Sequence, residues 1–207
     1  MTNSKRPHHH GNLRDALIVA GLDLMEQGGP DALTLRKCAK RAGVSHAAPA
    51  HHFNGLISLQ GAIIARGHQL FAQSMQHACA QDVLRADSTP HTQLRAVCGG
   101  YISFARTHSA VFKLMFQQHG LDKSTLDDTS RNELIRDATA SYQVLRDACA
   151  PFDSNGTNTE IMVWSLVHGY AMLFCGTTTP LPPSGSAPDF SQILPKLKLK
   201  TGPDTEI

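Results

Sequence analysis

An all-α protein is the fold class this sequence predicts, and three features predict it. Apolar residues recur at three- and four-residue spacing in one segment after another. Gly, Pro and capping residues separate those segments at helix-like lengths. No strand-like alternation of useful length occurs apart from Leu197–Lys200, where a tail is the simpler reading. The 207 residues are 41% hydrophobic, roughly half once the 16 glycines are added, which suits a globular chain of about one or two domains.

Residues 12–27 (NLRDALIVAGLDLMEQ) carry Leu13, Ala16, Leu17, Ala20 and Leu24 on one stripe, an amphipathic helix opened by Asn12 and closed by Gly28-Gly29-Pro30. A short helix follows from about Leu35 to Arg41, with Thr34 as its N-cap and Gly43 closing it. Ser45 can cap a third short helix through Phe53. Pro49 lies about four positions into it, near the limit at which a missing N–H is tolerated. A long helix is expected from Leu56 to about Ala80, with Leu56, Leu59, Ile63, Leu70 and Phe71 on related faces. Pro90 precedes a helix through about Thr107 that carries Leu94, Val97, Tyr101 and Phe104, and His108–Gln117 continues it as a dense apolar run. Two more helices, roughly 126–149 and 157–175, flank the turn-rich Pro151–Gly156. After Cys175 the segment TTTPLPPSGSAP should be extended rather than packed, and DFSQILPKLKLK either docks through Phe190, Ile193 and Leu194 or stays loose.

Overall charge is nearly balanced, 19 Lys and Arg against 17 Asp and Glu, so there is no global polyanion-binding signature. Residues 1–60 differ: seven basic side chains stand against four acidic ones, and six of the twelve histidines lie there. A basic end on a neutral body suggests an anionic partner, though a solvated face would look the same. The chain has no apolar run of about 18 residues, and MTNSKRPHHHGN leads into an amphipathic segment rather than a secretory one. Five widely spaced cysteines without a C-x-x-C pair argue against a disulfide framework and a zinc cluster. The expectation is a cytoplasmic protein that makes no membrane contact and needs no cofactor.

Function concentrates in residues 34–53, TLRKCAKRAGVSHAAPAHHF. Two short helices joined by a tight glycine turn form a helix-turn-helix pattern, whose second helix enters the major groove while the first crosses the backbone. Leu35, Cys38 and Ala39 face inward, Ala42 is small enough for close approach, Gly43 permits a left-handed turn and Val44 plugs it. His46, Ala47 and Ala48 then occupy the first turn of the second helix. An αα-hairpin that binds nothing is the alternative.

T-L-R-x-x-A-x-R-A-G-V-S followed by H-A-A-P-x-x-H-F resembles the N-terminal domain of the TetR family of bacterial transcriptional regulators. The preceding amphipathic helix and the following long one match as well, so the resemblance covers residues 10–70, extending more weakly to about 176. V-W-S-L-V-H-G-Y (Val163–Tyr170) resembles the W-x-x-x-H-G signature of one regulatory-domain subfamily. The resemblance implies a helix-turn-helix DNA-binding domain over 10–55, a helical ligand-binding and dimerisation domain over 56–176, and a Pro-rich segment over 177–207. It implies a ligand-responsive repressor that grips a palindromic double-stranded operator as a homodimer and answers to a small-molecule effector. Carried over by position, Thr34 and Arg36 would contact phosphate, with Lys37, also counted as DNA-binding, and Lys40 on the same helix. His46, Ala47 and Ala48 would face base edges and His52 would reach phosphate, with Ser45 and His51 completing the DNA-binding set. Lys5, Arg6 and Arg14 would add nonspecific attraction. Two positions depart from the family: Ala50 stands where tyrosine is usual, and Leu56 where lysine is. Both lost groups bind phosphate. If His51 and His52 take their place as charged imidazoles, DNA affinity rises on acidification. The family pairs its last two long helices into a four-helix bundle, which makes Ala138, Leu145, Val163 and Leu166 candidate seam residues.

Trp164 and His168 share a helical face, and with Tyr101, Phe104, Phe112, Met115 and Phe116 they either line a ligand cavity or pack a core. So few charges among them favour an apolar or weakly polar ligand. His8-His9-His10 is either a metal-binding arm or a basic-leaning extension over DNA, and His51-His52 lacks a ligand partner at zinc spacing. No G-x-S-x-G, P-loop, H-E-x-x-H or dinucleotide turn supports an enzyme. Two further alternatives are a helical scaffold with a weakened helix-turn-helix and a redox-sensing regulator. Cys98, Cys149 and Cys175 nevertheless fall on apolar faces, and no nearby basic residue marks one thiol as activated.

Overall fold

The structure, a computed structural model, describes residues 13–116, 123–153, 158–175 and 186–200. Asn12, Lys5, Arg6, the triple histidine and the Pro-rich residues 177–185 lie outside the described residues. Helix α1 (Leu13–Gly28) buries Leu17, Ile18, Ala20, Leu22 and Met25, whereas Ala16, expected on that stripe, is exposed. The buried arc is rotated because α1 is covered by α2, α3 and α5 at once rather than by a single neighbour. A 3₁₀ turn (Pro30–Ala32) leads into α2 (Leu35–Arg41), where Thr34 Oγ1 accepts the Lys37 N–H at 3.2 Å as the expected N-cap. Gly43, at φ +72°, makes the turn that follows.

The expected third helix is not an α-helix. Residues Ala48–His51 form a single 3₁₀ turn. An α-helix over 45–53 would need Pro49 to give an N–H to the Ser45 carbonyl, and proline has none. Ala48 and Ala50 bond three residues back instead, to Ser45 and Ala47, at 3.1 and 3.2 Å. Ser45 therefore caps nothing: the turn begins at Ala47 without a side-chain cap.

Helix α3 (Gly55–Val83) then runs 29 residues, about 43 Å at 1.5 Å per residue. Its first half lies under α1 and α2, and it packs along α4 (Pro90–Thr107) and α6 (Asp128–Cys149), so one rigid element belongs to both halves of the molecule. A capping box between Thr89 and Thr92 opens α4, and Leu94, Val97, Tyr101 and Phe104 are all buried as the spacing predicts. The apolar continuation does not hold. The chain breaks at His108 (φ −117°, ψ 46°), and α5 (Ser109–Phe116) sets off in a new direction. The break brings Val111, Phe112 and Met115 back against α1 and α3, where each is at most 5% exposed. A straight continuation would carry them past the core.

Helix α7 (Thr159–Phe174), capped by Asn158, packs against α4 and α6. Beyond it a short α8 (Phe190–Ile193) docks through Phe190, whose ring lies 5.3 Å from that of Tyr170, while Ile193 stays 36% exposed. Leu197–Lys200 is not a free tail. Leu199 bridges Phe152 antiparallel, Asp153 N–H reaches the Lys198 carbonyl at 2.8 Å, and Lys200 N–H reaches the Pro151 carbonyl at 2.9 Å. Among the described residues no other strand pairing occurs, and no helix is long and apolar enough to cross a membrane.

Candidate functional site

Two places in this fold gather chemistry. At the first, α2 turns Cys38 and Ala39 into the core with Leu35 half-buried, which leaves Arg36, Lys37 and Lys40 on the outer face. None of the three makes an ion pair among the described residues. Beside them Ser45, His46, Ala47, Ala50, His51 and His52 are exposed, Thr34 and Ala48 are half-buried, and Pro49 and Phe53 anchor the turn in the core. Thr34 accepts the cap bond, and its hydroxyl proton is left to donate outward. Leu56, at the start of α3, is half-buried and brings no charge. The sequence between Asp31 and Asp82 contains no acidic residue, a signal that a charge count over 1–60 dilutes. The ridge is thus positive throughout.

Two arginines of this half do not belong to it. Arg41 is held by Asp23 at 3.2 Å and Gln27 at 3.0 Å. Arg14, expected to attract DNA, turns the other way: it makes a bidentate pair with Glu133 of α6 (2.7 and 3.1 Å), bonds Ser130 at 3.3 Å and lies 5.2 Å from the centre of the Phe53 ring. At the other end of α1, Glu26 meets His108 at 2.6 Å, at the break between α4 and α5. The helix-turn-helix half is therefore fastened to the helical body at both ends of its first helix.

The second place is a cavity of about 390 Å³. His68, Phe71 and Met75 of α3 form one wall, and Ala138, Ser141, Tyr142 and Leu145 of α6 face them. Tyr101, Phe116 and Trp164 close it from α4, α5 and α7. Of the expected lining residues, Tyr101, Phe116 and Trp164 are in this wall. Phe104, Phe112, Met115 and His168 stand behind it: Phe112 and His168 back Phe116 at 4.8 Å each, Phe104 backs Phe71 at 5.2 Å, and Met115 fills the space beside Gly67. His68, Phe71 and Met75 are lining residues that the sequence reading misses, although their spacing of three and four puts a histidine on an otherwise apolar stripe.

The polar side chains that line the cavity carry no charge. Burial pushes His68 down to about 4, with the Asp137 carboxylate opposing only weakly. Burial also lowers His168 and raises Tyr101, and these two share a hydrogen bond of 2.7 Å. His68 Nδ1 and Ser141 Oγ are 2.9 Å apart. Burial likewise raises all five thiols, Cys98 and Cys149 to about 12, the opposite of what a thiolate sensor needs. Among the expected seam residues, Leu145 and Val163 are 2% and 0% exposed within the protomer and cannot meet a partner; Ala138 lines the cavity and Leu166 is half-buried.

Residues 17–55 match the family profile described as bacterial regulatory proteins, tetR family, and residues 94–190 match that of the tetracyclin repressor-like C-terminal domain. No curated protein matches the chain. Among solved structures, a protein of unknown function from Rhodococcus sp. RHA1 is 25% identical over 82% of this chain and 85% of its own, with a TM-score of 0.61. The TetR family transcriptional regulator PfmR from Thermus thermophilus is 19% identical over 78% of this chain and 85% of its own, at 0.51. A regulatory protein in the TetR family from Rhodococcus RHA1 is 17% identical over 82% and 88%, at 0.54. With its two halves matched in order by profiles of one family, and the fold shared with regulators of that family, this chain belongs to the TetR family of bacterial regulatory proteins.

Proposed function

We propose that the protein is a cytoplasmic, ligand-responsive repressor that binds a palindromic operator as a homodimer. The observation that carries this reading is the acid-free ridge of Arg36, Lys37 and Lys40 beside His46, Ala47, His51 and His52, on a segment whose other side is packed into the core. Cations on α2 suit phosphate, while the small, neutral Ala47 and Ala48 leave room for base edges in the groove. For a dimer, α7 offers an outward i, i+4 stripe of Ile161, Ser165 and Gly169, with nothing within 4 Å of where a side chain on Gly169 would begin. Effector coupling has two routes. Phe116 in the cavity wall continues through α5 to His108 and Glu26, and Ser141 and Ala138 continue along α6 to Glu133 and Arg14. A ligand that shifts either wall would rotate α1 and change the recognition spacing away from the groove repeat of about 34–36 Å.

The test is binding of purified protein to fragments of its own upstream region, at two salt concentrations with nonspecific competitor. A complex that survives competitor and is lost in Arg36→Ala with His52→Ala supports the regulator; binding that vanishes with competitor on every fragment counts against it. One observation favours a second reading, a helical interaction protein with a weakened helix-turn-helix. The recognition segment is a 3₁₀ turn, and Ala50 and Leu56 supply no phosphate contact. Specific binding that appears only in Ala50→Tyr with Leu56→Lys would select it.

A further inference from the structure

Resting on the reading that the cavity between α3, α4, α6 and α7 takes the effector, the geometry points to a neutral phenol as its ligand: an aromatic body between the ring walls whose hydroxyl donates to His68 Nε2. The Ala138 carbonyl, 2.9 Å from Ser141 Oγ, can only accept, so we assign it the one proton of that hydroxyl. Ser141 Oγ therefore accepts from His68 Nδ1, 2.9 Å away, and this network assigns the imidazole its tautomer. A neutral ring protonated at Nδ1 keeps a lone pair on Nε2. That nitrogen makes no hydrogen bond among the described residues, on a side chain that is 7% exposed and faces the cavity. An unpaired acceptor that opens on an apolar cavity calls for a donor. The Tyr101 hydroxyl is engaged by His168 at 2.7 Å and by Trp164, and that of Tyr142 by Glu160, which leaves His68 Nε2 as the acceptor open to a ligand.

Charge narrows the class. Among the described residues, no Lys, Arg, Asp or Glu lines the cavity. Asp137, the carboxylate that acts on His68, is engaged by Arg136 and by Gln69 at 2.7 Å each, and Glu160 sits behind Tyr142, accepting its hydroxyl at 3.0 Å. A carboxylate or ammonium ligand would be left unpaired there. Shape narrows it further. Phe71 meets Phe116 edge to face with centroids 6.0 Å apart, and Tyr142 meets Trp164 at 5.4 Å, so the walls present ring faces and edges that suit a flat aromatic body.

Trp164 is the only tryptophan in the sequence and lines the cavity, so its fluorescence reports occupancy. The full chain is titrated with 4-butylphenol, with its methyl ether, which has no donor, and with 4-butylbenzoate, which carries charge. The phenol should bind about tenfold more tightly than the ether, the worth of one neutral hydrogen bond, and the benzoate more weakly than either. In His68→Phe the two neutral ligands should come within about twofold of each other. Should that variant not fold, Ser141→Ala, which removes the acceptor that fixes the tautomer, should also reduce the preference. An ether that equals the phenol, a preference that survives in the folded variants, or fluorescence unmoved by all three probes would overturn the inference. Operator binding measured in parallel separates the two readings. A chain that binds DNA specifically but shows no phenol preference refutes only the ligand class. A chain that prefers the phenol and binds no DNA refutes only the repressor.

Discussion

Burial of His68 beside Ser141 makes protonation of this ring a cost to the folded state. Its ordinary value is 6.5 and its value in the fold about 4, so between those limits the unfolded chain takes up a proton that the native chain refuses. Stability should therefore fall as the pH drops through 6.5 and level off below about 4, by up to about 3 kcal/mol for this one residue. His168 acts in the same direction. Asp127 and Asp137 are held low by the hydrogen bonds that Ser130, Arg136 and Gln69 give them, which outweigh burial, and their contribution is lost only on further acidification below 3.8. Urea midpoints at pH 7, 5.5 and 4.5 should decline in the wild type and decline much less in His68→Phe; equal slopes would show that the ring is not neutral in the fold. Adjacent glycines of α4 make a second contrast. A Cβ on Gly100 would come within 2.6 Å of the Ser74 carbonyl and 2.7 Å of the Met75 Cα, whereas on Gly99 it would meet nothing within 4 Å. Gly100→Ala should cost about 1–3 kcal/mol because backbone cannot yield, and Gly99→Ala should stabilise by up to about 1 kcal/mol through helix propensity. Thermal melts of the two variants measured side by side decide it.

Between elements, the fastenings of α1 matter most. Arg14 and Glu133 are 22% and 27% exposed at the side chain, so their bidentate pair is partly shielded from solvent. Glu133→Gln should lower stability by about 1 kcal/mol and, if the α6 route carries the signal, reduce the effect of a cavity ligand on DNA affinity several-fold. A variant that loses stability yet keeps full ligand response would leave the Glu26–His108 contact as the working route. Glu26→Gln then provides the complementary measurement. The same scale explains where expectation and structure part. Helices α2 and α4 keep their predicted bounds because Thr34 and Thr89 cap them locally. A third helix through Pro49 is allowed when proline is judged by position alone, while the carbonyl it leaves unserved decides the turn type. The break at His108 leaves no mark in an apolar run, since nothing in HSAVFKLMF says which helices will lie beneath it.

For the whole molecule, assembly is the open dimension, and α7 is where it is tested. Ile161 is 41% exposed and Gly169 has open space beside it, so neither Ile161→Glu nor Gly169→Gln should disturb the protomer. Both should give a folded monomer by sedimentation, with operator affinity reduced by at least about tenfold because one half-site is lost. A variant that remains dimeric would move the interface elsewhere, to the α6 face around Ile135, which is 57% exposed.

Local rules account for everything that is legible in the residues alone: an all-α chain, the bounds of α2 and α4, the left-handed turn at Gly43 that follows α2, and a positive ridge on one end. Periodicity, capping and side-chain charge act within a few residues, so each can be read in a window of that size. Long-range packing settled which way side chains on equivalent-looking faces turn. It sent Arg14 to Glu133 rather than toward DNA, took Leu145 and Val163 from a possible seam into the core, and put His68 rather than His168 in the cavity wall. The physical reason is common to all three. An apolar stripe states that a face will be buried, but whether core, cavity or partner buries it depends on helices far away in sequence.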